Sequence, residues 1–240
     1  MKRIRALDGP TPGLAHYLER DGEQATWEGF RSHQAGDAYR ELVSGLEHIQ
    51  HGLCGYCEVN IIDNDRQVEH VIPQSDSAQG RAHALDPTNM MVCCKGGTLE
   101  TSGDQERRME PVRKHRSCGE AKGKRNLRDR EFIDPRDLPA LPSLIRVDYN
   151  GRIEADADAC QKASIAVDRV ENTINILGLN VKRLQRAREK HWAALSEFYQ
   201  EYLDDPQVIQ EAARKELLPE EDGRLPRFFS TSRFILWAGG

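Results

Sequence analysis

The chain has 240 residues, enough to bury a real core in one sizeable domain or two small ones without covalent staples. Its formal net charge of -5 argues against a free-standing, nonspecific nucleic-acid binder, because phosphate affinity comes mainly from Lys and Arg. The N-terminus, Met1-Lys2-Arg3-Ile4-Arg5, has no apolar export segment, and no later stretch is long and apolar enough to span a bilayer; the six cysteines are therefore expected as reduced thiols in a cytoplasmic protein with no membrane association.

The first 35 residues are polar and rich in Gly and Pro, and read as an extended lead-in anchored by Trp27 and Phe30. From Asp37 to Gln50, the residues Tyr39, Leu42, Val43, Leu46 and Ile49 recur at helical spacing, and Gly52 follows as a stop signal. This helix delivers the chain to Cys54.

Residues 53–133 are poor in large aliphatic side chains and hold the chemistry. Cys54-Gly55-Tyr56-Cys57 has the spacing that turns two thiolates toward one tetrahedral ion. A thioredoxin-like redox pair would want a following βαβ pattern, which is missing. Two further zinc ligands must come from Cys93, Cys94, Cys118 or a histidine such as His115. Neighbouring residues of a strand face opposite sides, so only one of Cys93 and Cys94 can face the ion. Cys94 and Cys118 are the preferred pair, although the long insertion over 95–117 keeps Cys93 open as the rival. Four protein ligands leave no open position, so this Zn2+ would be structural. Cys160 lies elsewhere and reads as a small buried hydrophobe.

Inside that frame, Arg66-Gln67-Val68 reads as a strand leading into Glu69-His70-Val71-Ile72-Pro73. A polar loop follows, and Met90-Met91-Val92 returns as a second strand with Asn89 at its start. Phosphodiester hydrolysis needs an activated water, charge stabilisation on the phosphoryl oxygens and help for the departing oxygen. A neutral imidazole supplies the first, and a divalent ion held by a carboxylate supplies the others. His70 is the candidate base and Glu69 the candidate ligand for Mg2+ or Mn2+. From Arg107 to Arg130 there are ten Lys or Arg against three acids, a local charge of +7 in an acidic chain. Contiguous with the cysteines, this block favours a phosphate-binding surface over a merely solvated face.

Asp134-Pro135 and Leu138-Pro139-Ala140-Leu141-Pro142 read as a linker. Two alternating runs, 144–149 and 152–154, flank Asn150-Gly151 and predict a hairpin with a two-residue turn. Asn180 is the expected N-cap of a long helix whose broad face carries Val181, Leu184, Ala187, Trp192, Leu195, Phe198 and Tyr202. The final apolar run from Phe228 to Trp237 is either a buried last element or a docking tail.

Cys54-Gly55-Tyr56-Cys57-Glu58, Glu69-His70-Val71-Ile72-Pro73-Gln74-Ser75, Asn89-Met90-Met91-Val92-Cys93-Cys94 and Cys118-Gly119-Glu120-Ala121-Lys122-Gly123 together resemble the HNH endonuclease signature with its zinc knuckles. Within that superfamily the chain is most similar to the retron- and Septu-associated, PtuB-type nucleases of anti-phage defence. Weaker similarity extends to Trp27 and Phe30, and to the run from Thr173 to Asn180.

The resemblance implies an α+β, mainly helical fold with a central zinc-knuckle HNH ββα-metal core, flanking helices and a short β-hairpin. The expected regions are 1–52 as lead-in and helix, 53–133 as the nuclease core, and 134–240 as a mainly helical region for partner docking or core. By the same resemblance His70 is the general base, Glu69 binds the catalytic ion and Asn89 orients the histidine. Lys122 contacts phosphate, with Lys124 and Arg125 beside it in the basic block. The family's second metal ligand, early in the helix after the last cysteine, has no match here; Glu120 is the expected substitute and Asn126 the fallback. The implied partners are nucleic acid, with DNA preferred over RNA, and a PtuA-like ATPase subunit. The alternatives are a noncatalytic zinc adaptor for nucleic acid or the ATPase, and an RNA or tRNA nuclease of the same fold.

Overall fold

A Pro at the first helical position and a Thr cap turn the region expected as an extended lead-in into two short helices. Both are seen in a computed structural model that describes residues 1–76, 79–99, 107–108, 112–125, 127 and 131–237. Helix α1 (Pro12–Asp21) starts on Pro12 and buries Leu14 and Tyr17; α2 (Trp27–Ser32) is capped by Thr26, whose side chain accepts from the Gly29 N–H at 3.1 Å. The Tyr17 hydroxyl ties the two together, accepting from the Thr26 N–H and donating to the Thr26 carbonyl. Phe30 is fully buried, as an anchor should be, and α3 (Asp37–Ile49) runs where the helical spacing places it.

After α3 the chain reverses through His51 and Gly52, both with positive φ, into the cysteine turn. The adhesive at this point is Gln50, 1% exposed: its amide donates to the carbonyls of Leu53 and Val92, and its oxygen accepts the Val92 N–H at 2.7 Å. Gln50→Ala removes three buried hydrogen bonds at once. A loss of about 3 kcal/mol in unfolding free energy is expected, measured by denaturant titration. A loss under about 0.5 kcal/mol would show that these groups find other partners.

Strands β1 (Gln67–His70) and β2 (Met90–Cys93) pair antiparallel, with Val68 opposite Val92 and His70 opposite Met90. The short helix α4 (Cys118–Lys122) follows. The Asn150-Gly151 hairpin also forms, from β3 (Ile145–Val147) and β4 (Ile153–Ala155), but five residues, 148–152, join the strands rather than two. The Asp148 N–H reaches the Arg152 carbonyl, and the Asp148 side chain accepts from the N–H groups of Asn150 and Arg152. Gly151, at φ +70°, is forced: a Cβ there would lie 2.1 Å from the Gln185 carbonyl.

Helices α5 (Ala157–Lys162), α6 (Val167–Ile176), α7 (Lys182–Glu201), α8 (Pro206–Leu217) and α9 (Phe229–Trp237) complete the fold. Two expectations are corrected here. Asn180 does not cap α7, whose N-cap is Val181; its amide instead pairs with both backbone groups of Ile153, satisfying the free edge of β4. The long stripe of α7 is core only at its start, where Leu184 and Ala187 are buried, whereas Leu195, Phe198 and Tyr202 are half-buried. The run from Phe228 is an element of the fold, with Phe228 and Ser232 buried and α9 lying on α7, α8 and β3. One continuous cluster of buried apolar residues runs from Ile4 through the cysteine turn and β2 to Phe228.

Candidate metal centre and active site

Three separate segments bring the sulfurs of Cys54, Cys57, Cys94 and Cys118 within 4.8 Å of one another, all buried. Sulfur pairs lie 3.8 Å (Cys54–Cys118), 3.6 Å (Cys57–Cys94) and 3.6 Å (Cys94–Cys118) apart. The backbone N–H of Cys94 donates to the Cys54 sulfur and the Ser117 hydroxyl to that of Cys118. Cys93, on the opposite face of β2, is met by the Gln67 amide instead.

Burial opposes thiolate formation at Cys54, but hydrogen bonds from Cys118, Cys57 and Cys94 outweigh it and hold that thiol well below its ordinary pKa; burial drives Cys118 well above. The group thus takes negative charge at one sulfur at the expense of another, which a cation would relieve. Two buried guanidinium groups stand close by. Arg183 donates to the Ser117 hydroxyl, and Arg188, pushed down to about 10 by burial, is drawn back up by Cys57, Glu58 and Cys118. A buried set of four cysteines at these separations can hold a metal ion such as zinc.

His70 ends β1, 9% exposed, with the edge of its ring against Trp27 at 4.6 Å between centroids. Its Nε2 lies 2.9 Å from the Ala84 carbonyl, which can only accept, so Nε2 carries the proton and Nδ1 is left as the acceptor. The Gln74 amide nitrogen lies over the ring edge, 3.2 Å from Nδ1 and 3.3 Å from Nε2. Burial lowers the His70 pKa against the Ala84 hydrogen bond, which raises it, and Lys122 lowers it further. The imidazole is neutral at neutral pH, the form that accepts a proton.

Asn89 fixes the loop that carries this histidine. Its oxygen accepts from the Ile72 N–H at 2.8 Å, and its nitrogen donates to the carbonyls of Ile72 and His83. Since His83 precedes Ala84, the same amide also holds the segment to which the imidazole is bonded.

Glu69 is buried beside the histidine and paired with Lys122 at 2.7 Å, the Tyr56 hydroxyl donating to the same oxygen, Oε1. Burial pushes the Glu69 carboxyl up, and the Lys122 and Tyr56 contacts pull it back. Its other oxygen, Oε2, faces α4, where a Cβ at Gly119 would come within 2.4 Å. Gly119→Ala is therefore expected to displace the carboxylate or the helix, costing about 1–3 kcal/mol. Thermal melts of the purified variant measure it, and an unchanged melting temperature would show that the contact is soft.

Several expected site residues take other places. Lys122 is not a surface phosphate contact: its ammonium is spent on Glu69 and on the His70 carbonyl, 3.1 Å away, inside the fold. Arg125 is bonded to the carbonyls of Lys122, Ala121 and Ile176, where it caps the end of α4. Lys124 and Arg125 are both exposed, but of the three only Lys124 has no such bond to hold it among the described residues. Glu120 turns to Arg116 (3.7 Å) and lies against Gly96, since successive helix residues diverge by about 100°, and Gly119 holds the place facing Glu69. Asn126 lies outside the described residues, as do Arg128 and Arg130 of the basic block. The sequence reading missed Tyr56 and Gln74; the signal for Tyr56 was a phenol enclosed by the two cysteines, and for Gln74 an amide four residues after His70.

No family model matches the chain. It is 29% identical over 180 residues to the "Retron Ec83 putative HNH endonuclease" of Escherichia coli, covering 69% of each chain. It is 27% identical over 177 residues to the Retron Vc95 counterpart in Vibrio cholerae serotype O1 biovar El Tor, covering 74% of this chain and 76% of the relative. With the cysteine group and the Glu69-His70 site on one frame, the chain is a relative of the retron HNH endonucleases.

Proposed function

We propose that the chain is an endonuclease hydrolysing phosphodiester bonds of nucleic acid, DNA in preference to RNA, with β1, β2 and α4 as its ββα-metal unit. The observation that carries this reading is the state of His70: Nε2–H is held by the Ala84 carbonyl, Nδ1 is the acceptor, and the loop on both sides is locked by Asn89. A neutral imidazole fixed in that tautomer takes a proton from a water attacking phosphorus. Lys122 is a positioning residue, joining α4 to both Glu69 and the backbone of His70.

The four cysteines suit structural zinc. Zn–S bonds of about 2.3 Å give a tetrahedron with edges of about 3.8 Å, close to the sulfur separations in the cluster. For a catalytic Mg2+ or Mn2+, Glu69 Oε2 is a carboxylate oxygen next to His70 for which Lys122 and Tyr56, both on Oε1, do not compete. Among the described residues the only group of three or more His, Cys, Asp or Glu ligands is the cysteine set. Such an ion would rest on one carboxylate together with water and substrate phosphate, a mode that Mg2+ tolerates, and would supply charge stabilisation on the phosphoryl oxygens.

The test is a cleavage assay offering DNA and RNA to the purified chain with Mg2+ or Mn2+. Cleavage of DNA alone or with preference supports the reading, and cleavage of RNA alone moves the substrate to RNA. The Glu69–Lys122 pair favours one rival, a noncatalytic zinc adaptor in which that carboxylate is structural; absence of cleavage of either polymer, with the partner present, supports the adaptor. The retron setting of the relatives supports placing the chain beside a PtuA-like ATPase in antiviral defence, which co-purification from a shared operon tests.

A further inference from the structure

A cavity of about 280 Å3 adjoins the active-site loop. Val71, the residue after His70, lines it, and so does His83, the residue before the carbonyl that holds the His70 imidazole. Its apolar lining comes from Val71, Ile72, Pro73, Leu127 and Phe132. Its polar lining contains groups left without partners. Arg136 spends Nε and Nη2 on Asp134, while its Nη1 is buried with no hydrogen bond. Arg169 spends Nε on the Phe132 carbonyl, and among the described residues nothing engages the Asp137 carboxylate.

The charges argue against a phosphate site. Among the described residues two guanidinium groups share the lining with three carboxylates, Asp86, Asp134 and Asp137, so a phosphate would meet a net negative set of these side chains. A spare donor and a spare carboxylate on one lining with apolar side chains suit a flat, neutral ring that both accepts and donates. The volume equals that of about nine waters, room for one heterocycle and not for a nucleotide.

We propose that this cavity binds a single unstacked nucleobase bearing both a carbonyl and an amino group, guanine or cytosine, from the strand whose backbone lies at His70. Arg136 and Arg169 donate to the carbonyl edge and Asp137 accepts from the amino group, the pairing by which Arg reads guanine and a carboxylate reads cytosine. Adenine lacks the carbonyl, and thymine and uracil lack the amino group. Enzymes that work on nucleic acid read extruded bases in pockets of this kind. The inference rests on the nuclease reading for its substrate, and it adds a base preference that the reading does not contain.

The test measures binding of cleavage-resistant single strands to the full chain at one fixed salt concentration, comparing strands that carry one guanine or cytosine with strands of adenine and thymine alone. The first set is expected to bind about tenfold tighter. Asp137→Ala, which removes an exposed carboxylate outside the catalytic loop and leaves no acceptor in its place, is expected to abolish the preference by weakening the guanine and cytosine strands to the level of adenine–thymine strands. Equal binding of all strands, a preference that survives Asp137→Ala, or no binding at all overturns the proposal. Cleavage measured on the same preparations separates the two claims. Cutting without base preference removes the pocket and keeps the nuclease, and preference without cutting does the reverse.

Discussion

His70→Ala is expected to lower cleavage by at least about a hundredfold, and by up to about ten-thousandfold, while metal content and fold are retained. The size follows from the role: a general base held at one tautomer contributes that much, and no second imidazole touches the reacting position among the described residues. His16 and His33 pair with each other, and His83 is turned to Asp86 at 3.0 Å. Retention of fold is the separable part of the expectation. The ring is nearly buried against Trp27, so truncation leaves a void and frees the Ala84 carbonyl, at about 2 kcal/mol. His70→Asn keeps a polar group for that carbonyl without the base, and should be as inactive as alanine but more stable. Single-turnover cleavage, circular dichroism and bound-metal analysis on both variants check this. Cleavage by either variant at the wild-type rate would remove His70 as the base and move that role to another group.

What the sequence made readable was the part in which spacing alone sets geometry. Cys54 and Cys57 across two residues, the opposed faces of Cys93 and Cys94, the helix ending before Gly52, and the Asn150-Gly151 hairpin all follow from local stereochemistry. They need no knowledge of the rest of the chain. The two N-terminal helices were obscured for an instructive reason: at 10 and 6 residues they are too short for periodicity to rise above a Gly- and Pro-rich background, although Pro12 and Thr26 carried start signals.

The site chemistry was misread where tertiary contacts determine direction. Lys122 in a basic block suggests a phosphate ligand, yet α4 turns it inward onto Glu69, and no local rule distinguishes it from Lys124 two residues on. Asn180 likewise has the chemistry of an N-cap, but the free edge of β4 claims its amide. Polar residues that serve as glue between distant segments, such as Gln50 and Asn89, show no periodicity by which to find them. Asn89 was found only through family resemblance.

Removing one zinc ligand is expected to unfold the centre of the protein, and the pattern across the cysteines tests the frame more sharply than any single variant. The group joins the turn at 54–57, the end of β2 and the start of α4, three segments held near one another by few large aliphatic side chains. Structural zinc contributes about 10–16 kcal/mol in small zinc-finger peptides, comparable with or larger than the whole 5–15 kcal/mol stability of an ordinary domain. Cys118→Ser should therefore lose its one equivalent of zinc and the cooperative unfolding transition together, as should Cys54→Ser. Cys93→Ser and Cys160→Ser should keep the ion, because Cys93 faces Gln67 across β2 and the Cys160 thiol approaches only the Leu144 carbonyl, at 3.9 Å. Their cost is that of placing a hydroxyl in an apolar site, about 1–3 kcal/mol. Metal analysis and thermal melts on these four variants and on Cys94→Ser read both quantities. A Cys118→Ser protein that melts like the wild type without zinc would make the cysteine group an ordinary patch of core. Loss of zinc from Cys93→Ser with retention in a Cys94→Ser chain would reverse the faces of β2, and with them the position of Glu69, since Glu69 pairs across the same two strands.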